Sequence, residues 1–211
     1  MIISFKHNYI YFRPRKTGSS TIEYLLSRRL GPEDILAGGR VLEKSGMSEA
    51  AVALSVRLAT HATARQVKDV VPEAFWERCY KFASERHPYE KAVSLAFYRM
   101  HKRERRGVEA QTREFARVLD QVVKGDIYVG FETYSLEGKP VADDFVRHET
   151  FDEDLRRIAK RLRLWLPRRL PRLKGNLRLD RRPAAEILSD EQKETIFRQC
   201  RQEFEFFGYP R

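Results

Sequence analysis

A short apolar, β-prone run, Tyr9-Ile10-Tyr11-Phe12, gives way within a few residues to helical spacing. This abrupt change of period constrains the fold more than any other feature. Arg13-Pro14 bounds the run. After Lys16-Thr17-Gly18, the apolar positions Ile22, Leu25, Leu26 and Leu30 share one helical face until Gly31-Pro32 stops the helix. The segment reads as a strand, a tight turn, and a helix whose N-terminus faces the turn. The same order recurs downstream. Cys79–Ala83 reads as a strand, Arg86-His87-Pro88 follows, and Pro88 suits the first turn of a helix through Ala92, Val93, Leu95 and Ala96 to about Met100. Glu137-Gly138-Lys139-Pro140 predicts a turn between extended segments, the second including Phe145-Val146-Arg147. Helices are expected at Phe151–Leu164 and Ser189–Phe207, the latter opening on a capping box of Ser189 and Gln192. Strands alternating with helices predict an α/β fold, a mainly parallel sheet flanked by helices. Ligands of such sheets bind beyond the carboxyl ends of the strands.

With 211 residues, no internal repeat and no Gly/Ser/Pro linker, one domain over 1–211 is expected. Apolar residues make up 42%, and no run approaches the ~18–20 needed to span a membrane. Met1–His7 shows no signal-peptide pattern. Cys79 and Cys200 fit no disulfide or zinc spacing, so a reducing, cytoplasmic setting is expected. The formal charge of +11 is concentrated: Arg156 to Arg182 holds twelve Lys and Arg against one acid, Asp180. That stretch suggests a local surface for a polyanion, the alternative being a solvated Arg-rich face. Phe75, Trp76, Phe97 and Tyr98 have the spacing of helix core residues. Lys102–Arg106 reads as a solvated helix end.

The chemistry concentrates in Arg15-Lys16-Thr17-Gly18-Ser19-Ser20-Thr21. A glycine and hydroxyl residues at a helix start offer backbone N–H groups, side-chain donors and a favourable dipole to an anion. Lys16 adds a mobile charge. A Walker A loop places its lysine after the glycines; here Lys16 precedes Gly18, and no GxxxxGK[ST] occurs in the chain. That order argues against an ordinary ATP or GTP hydrolase. A well-capped helix with a basic preceding loop is the plain structural alternative.

Tyr9 to Glu23, YIYFRPRKTGSSTIE, resembles the strand–loop–helix that binds the 5′-phosphosulfate in sulfotransferases using 3′-phosphoadenosine 5′-phosphosulfate (PAPS), where the loop commonly reads Lys-Thr-Gly-Gly-Thr-Ser. Ser19 stands at the second glycine, and the hydroxyls of Ser20 and Thr21 are exchanged. Phe82 to Ser94, FASERHPYEKAVS, resembles the same family's 3′-phosphate motif: a strand, an Arg, a Pro, an aromatic residue, and a Ser eight residues after the Arg. The resemblance, to the soluble, carbohydrate-sulfotransferase-like branch, implies a P-loop-like fold and PAPS as sulfuryl donor. It implies that Arg15, Lys16, Thr17, Gly18, Ser19, Ser20 and Thr21 hold the 5′ end, and that Arg86 and Ser94 hold the 3′-phosphate. Guanidinium forks match phosphate oxygens; for Arg86 the alternative is an ion pair with Glu85 or Glu90. Asp144–Leu155 and Phe204–Tyr209 resemble scaffold segments of the family. Leu173-Lys174-Gly175-Asn176 stands where the family often places a basic loop over the nucleotide, which assigns Lys174 to the cofactor.

The resemblance implies a transferase that moves a sulfuryl group from PAPS to an acceptor hydroxyl, on a carbohydrate or other acidic acceptor, with no metal required. Nucleic acid is not the expected partner. Lys16 would stabilise the departing oxygen. His61, in Ala59-Thr60-His61-Ala62-Thr63-Ala64-Arg65, would be the general base. That stretch resembles a His-containing segment in soluble relatives, although some use Glu. Thr63 would cap a helix towards Val70. His87 is a poorer candidate, and Glu23, Glu132, His148 and Glu149 remain substitutes. The competing readings are a small-molecule kinase with a degenerate phosphate loop and a non-enzymatic polyanion-binding module.

Overall fold

The expected strand–loop–helix is present in the computed structural model, which describes residues 1–38, 46–101, 108–126, 128–173, 178 and 180–211. The elements run β1 (Ile2–Ser4), β2 (Tyr9–Phe12), α1 (Ser19–Ser27), β3 (Ile35–Leu36), α2 (Glu49–Arg57), α3 (Ala64–Lys68), α4 (Glu73–Arg78), β4 (Tyr80–Glu85), α5 (Pro88–His101) and α6 (Val108–Lys124). A 3₁₀ turn (Phe131–Thr133) leads to β5 (Ser135–Leu136), β6 (Lys139–Pro140), β7 (Asp144–Arg147), α7 (Phe151–Arg161), α8 (Ala184–Ile187), α9 (Asp190–Gln199) and α10 (Arg201–Phe207). The chain divides into two compact units, Met1–Glu85 with Phe131–Leu173, and Arg86–Gly130 with Lys174–Arg211.

The first unit is α/β. Its five-stranded sheet has the order β3-β1-β2-β4-β7. β2 runs parallel to β4, and β4 to β7, whereas β1 pairs antiparallel with both β2 and β3. The sheet is therefore mixed rather than mainly parallel. The short link Phe5–Asn8 allows only a hairpin, since a parallel crossover needs a dozen or more residues. Asn8 turns it at φ 52°, a left-handed conformation that asparagine tolerates. The buried Asp34 carboxylate ties β3 to this hairpin, accepting hydrogen bonds from Ser4 Oγ (2.8 Å), Lys6 N (3.0 Å) and Gly31 N (2.8 Å).

Every residue of β2 and β4 is buried, as strands covered on both faces require. Successive side chains alternate between faces. Tyr9 and Tyr11 pack with Ile22, Leu25 and Leu26 of α1 and with Leu155 and Ile158 of α7. On the opposite face Phe12 meets Trp76 of α4 edge-on at 6.3 Å. Of the turn expected over residues 137–140, Glu137 and Gly138, both at positive φ, make the turn, while Lys139–Pro140 forms β6 and pairs back on β5. The helix expected from Phe151 stops at Arg161.

The second unit is helical. Val93, Ala96 and Phe97 of α5 share a core with Val118, Leu119 and Val122 of α6 and with Ile196, Cys200 and Phe204; Phe97 stacks on Phe115 at 4.4 Å. Within this core Lys91 Nζ lies 3.5 Å from Glu203, both side chains at 1% exposure or less. Glu203 also accepts from Gly130 N at 3.1 Å. The helix expected over Ser189–Phe207 is two helices meeting at Cys200, where φ −109°, ψ 24° departs from helical values. Its capping box of Ser189 and Gln192 is formed, and Gly208 ends α10 in the left-handed conformation. Both cysteines are free and buried. Among the described residues no helix is long and apolar enough to cross a membrane.

Candidate functional site

The loop from Arg13 to Gly18 joins the end of β2 to the start of α1, at the carboxyl edge of the parallel strands. Lys16 holds φ 62° and Gly18 φ 80°. A left-handed lysine costs backbone energy, and such strain tends to collect at functional sites. Gly18 is the N-cap, and no acidic residue occupies the first turn of α1, so the positive end of the helix dipole is not neutralised locally. A Cβ on Gly18 would lie 3.0 Å from Phe151 Cε2 and 3.6 Å from His148 Cδ2. Glycine suits the positive φ there, and any added Cβ would press on the Phe151 ring.

The hydroxyl residues divide into two sets. Thr17 is a buried prop: its Oγ1 donates to the Pro14 carbonyl at 3.2 Å and contacts Ser84 Oγ at 2.7 Å, which contacts Tyr11 Oη at 2.9 Å. Because Thr17 gives its one proton to a carbonyl, Ser84 must donate to Thr17 and Tyr11 to Ser84. This relay fastens the loop to β2 and β4. Thr21 is occupied too, its N–H bonding the Gly18 carbonyl at 3.1 Å and its Oγ1 accepting from Leu173 N at 3.2 Å. Ser19 and Ser20 instead receive hydrogen bonds from Arg13, Nε to Ser19 Oγ at 3.2 Å and Nη2 to Ser20 Oγ at 3.3 Å. The third arm of Arg13 donates to Glu23 Oε2 at 2.5 Å. Arg15 is exposed and Lys16 half-exposed at the mouth.

His61 stands against the same loop. Its Nδ1 is 2.7 Å from the Arg13 carbonyl. A carbonyl only accepts, so Nδ1 carries the proton and Nε2 is left as the basic nitrogen. Burial pushes the imidazole pKa down to about 4; the Arg13 carbonyl partly offsets this, while the charges of Arg15 and Arg13 act with the burial. The ring is therefore neutral at pH 7. Two features hold it. Thr63 forms a full capping box with Gln66 at the start of α3, in a helix shorter than the sequence suggests. Gly38, at φ 101°, passes so close to Thr60 that a Cβ would sit 2.0 Å from Thr60 Oγ1. Of the alternative bases, Glu23 is committed to Arg13, while Glu132, His148 and Glu149 are exposed.

Arg86 and Ser94 belong to the second unit. Arg86 Nη2 donates to Glu90 Oε2 at 2.7 Å, and Glu90 also pairs with Arg178 and accepts from Ala184 N at 2.8 Å. Burial raises the Glu90 pKa, but the Ala184 N–H and the guanidinium groups of Arg86 and Arg178 outweigh it and hold the carboxyl below its usual range. The ion pair set against the phosphate role of Arg86 is thus formed, and it orients the guanidinium. Ser94, half-exposed, follows Glu90 by one helical turn on the same face of α5. His87 is structural: Nδ1 caps α5 by accepting from Tyr89 N at 3.2 Å, and Nε2 contacts the Pro210 carbonyl at 2.9 Å.

Lys174 and Lys102–Arg106 lie outside the described residues. Of the basic stretch, Arg157 pairs with Asp144 and Asp154, Arg161 covers the Tyr80 ring at 4.5 Å, and Arg182 pairs with Asp180. Arg163, Arg168, Arg169 and Arg172 are exposed. Sequence reasoning missed Arg13, which stands at the end of an apolar strand. Comparison of the chain with protein-family models, curated proteins and solved structures found no match.

Proposed function

We propose that the chain is a PAPS-dependent sulfotransferase on a P-loop-like scaffold, with a carbohydrate hydroxyl as the acceptor class. The observation that carries the reading is the contact of His61 Nδ1 with the carbonyl of Arg13. It ties a neutral imidazole, basic at Nε2, to the loop that bears Lys16. In the reaction the acceptor oxygen forms a bond to sulfur as the bond from sulfur to the bridging phosphate oxygen breaks. Nε2 of His61 takes the hydroxyl proton, and adenosine 3′,5′-bisphosphate departs with the electron pair. Lys16 and the start of α1 offset the charge that develops on the departing 5′-phosphate. The resemblance assigns the 3′-phosphate to Arg86 and Ser94, with Glu90 fixing the guanidinium of Arg86.

Thermal unfolding with adenosine 3′,5′-bisphosphate, compared with ATP plus magnesium, tests the donor. A ligand at a hundred times its Kd adds about 2.7 kcal/mol, so a clear upward shift is expected with the bisphosphate and little with ATP. A larger shift with ATP and magnesium would favour the kinase. Steep salt-dependent binding without preference for adenosine would favour a polyanion module, to which the exposed arginines of 163–172 would then belong. With donor binding established, His61→Ala is expected to lose transfer about a hundredfold or more, since a general base contributes roughly 10²–10⁴.

A further inference from the structure

We propose that Arg13 is a positioning residue of the loop, which presets the hydroxyls of Ser19 and Ser20 as donors to a bound anion. A guanidinium has only donors and a hydroxyl has one proton. Arg13 Nε and Nη2 each give a hydrogen to one serine oxygen. Each serine's own proton is thereby turned away from Arg13. Among the described residues neither hydroxyl donates it to a protein acceptor. Both serines open α1, whose first turn carries no acid, so two O–H groups turned away from Arg13 join the positive end of the helix.

Glu23 completes the device. Its bond to Arg13 Nη1 holds the guanidinium in the orientation that reaches both serines. The Arg13 side chain is 7% exposed and that of Glu23 17%; Ser19 is as buried as Arg13 and Ser20 is half-buried, so of the two hydroxyls that of Ser20 is the more open to an anion. The proton of a free serine rotates among three staggered positions; here the one facing Arg13 is excluded before the anion arrives. Such preorganisation spares reorientation at the moment of binding. The inference rests on the sulfotransferase reading only for the identity of the anion.

The test is a double-mutant cycle on anion affinity. Kd is measured by calorimetry for inorganic pyrophosphate and for adenosine 3′,5′-bisphosphate, with wild type, Arg13→Lys, Ser19→Ala/Ser20→Ala, and all three changes together. Lysine retains the charge facing Glu23 but lacks the fork that reaches two serines. Arg13→Lys is expected to weaken both anions about tenfold, the serine pair about tenfold or more, as for hydrogen bonds to charged groups. Adding Arg13→Lys to the serine pair should cost less than about threefold, because the lysine change acts through those hydroxyls. In turnover, the KM for PAPS should rise in Arg13→Lys while the acid limb of the pH–rate profile, which a His61 base would set, keeps its position, since the backbone carbonyl at residue 13 remains. Losses that multiply independently would overturn the proposal, as would wild-type affinity in Arg13→Lys. If Arg13→Lys does not fold, the serine pair decides: unchanged affinity there overturns the proposal, and a tenfold loss supports it. Pyrophosphate binding without bisphosphate binding would sink the donor reading, and the same cycle on pyrophosphate would still judge Arg13. Binding of neither anion to wild type would overturn both.

Discussion

His61 gives the fold a measurable acid sensitivity. Its pKa in the folded chain is about 4, against about 6.5 for an unperturbed histidine. A folded pKa below the unfolded one means that the unfolded chain takes up a proton that the folded chain refuses. The stabilising contribution is therefore complete above about pH 6.5 and is lost as pH falls towards 4. A gap of about 2.5 units at 1.36 kcal/mol each amounts to about 3 kcal/mol, which the partial exposure of the ring brings towards about 2. Asparagine can present an N–H to the Arg13 carbonyl and does not titrate, so His61→Asn is the suitable reference. Urea unfolding of both proteins from pH 7.5 to pH 4 should show wild type losing about 2 kcal/mol more than the variant, most of it between pH 6.5 and 5. The carboxylates common to both proteins cancel in the difference. Parallel stability curves would refute the argument that the half-buried His61 is neutral in the folded chain.

Bound bisphosphate should raise the His61 pKa, because its negative charge would oppose those of Arg15 and Arg13, which act with burial to depress it; an imidazole NMR titration that does not move on saturation would contradict this. Lys91→Met should cost about 3–5 kcal/mol by stranding Glu203 in the core, and Lys91→Met with Glu203→Leu should recover most of it, as replaced buried pairs generally do. Thermal or urea unfolding checks both, and a double variant no better than the single would count against a desolvation cost. Arg86→Ala should weaken adenosine 3′,5′-bisphosphate far more than adenosine 5′-phosphosulfate, which lacks the 3′-phosphate, with equal losses marking Arg86 as purely structural.

What was legible in the chain follows from how far each signal extends. β2, its loop and α1 could be read because an apolar run meets a Gly/Pro-punctuated helical face within one stretch. β1 and β3 could not, since three and two residues are too few to show a period. Missing β1 meant missing the hairpin that makes the sheet mixed. The break at Cys200 has no Gly or Pro to announce it. The loop residues and His61 were visible as residue types, but the bond joining His61 to Arg13 spans 48 positions and leaves no local trace. Arg13 was within reach: Ser19, Ser20 and Glu23 fall on one side of the first turns of α1, facing back to the strand end. A lone arginine after an apolar run reads as a boundary, and only burial reveals that it is an anchor.

The order of strands also bears on how the chain matures on the ribosome. β4 is an interior strand of the sheet, paired on one side with β2 and on the other with β7. β2 emerges before it; β7 emerges only after α5 and α6 have been made. For that interval the row of backbone donors and acceptors along Tyr80–Glu85 has no partner on one flank, and its side chains are those destined for full burial. An open strand of this kind is a template for pairing with another nascent chain. Pauses in translation across α5 and α6 would lengthen the exposure, so yield in a cell should depend on elongation speed through that stretch and on chaperones that shield the flank until Asp144–Arg147 arrives.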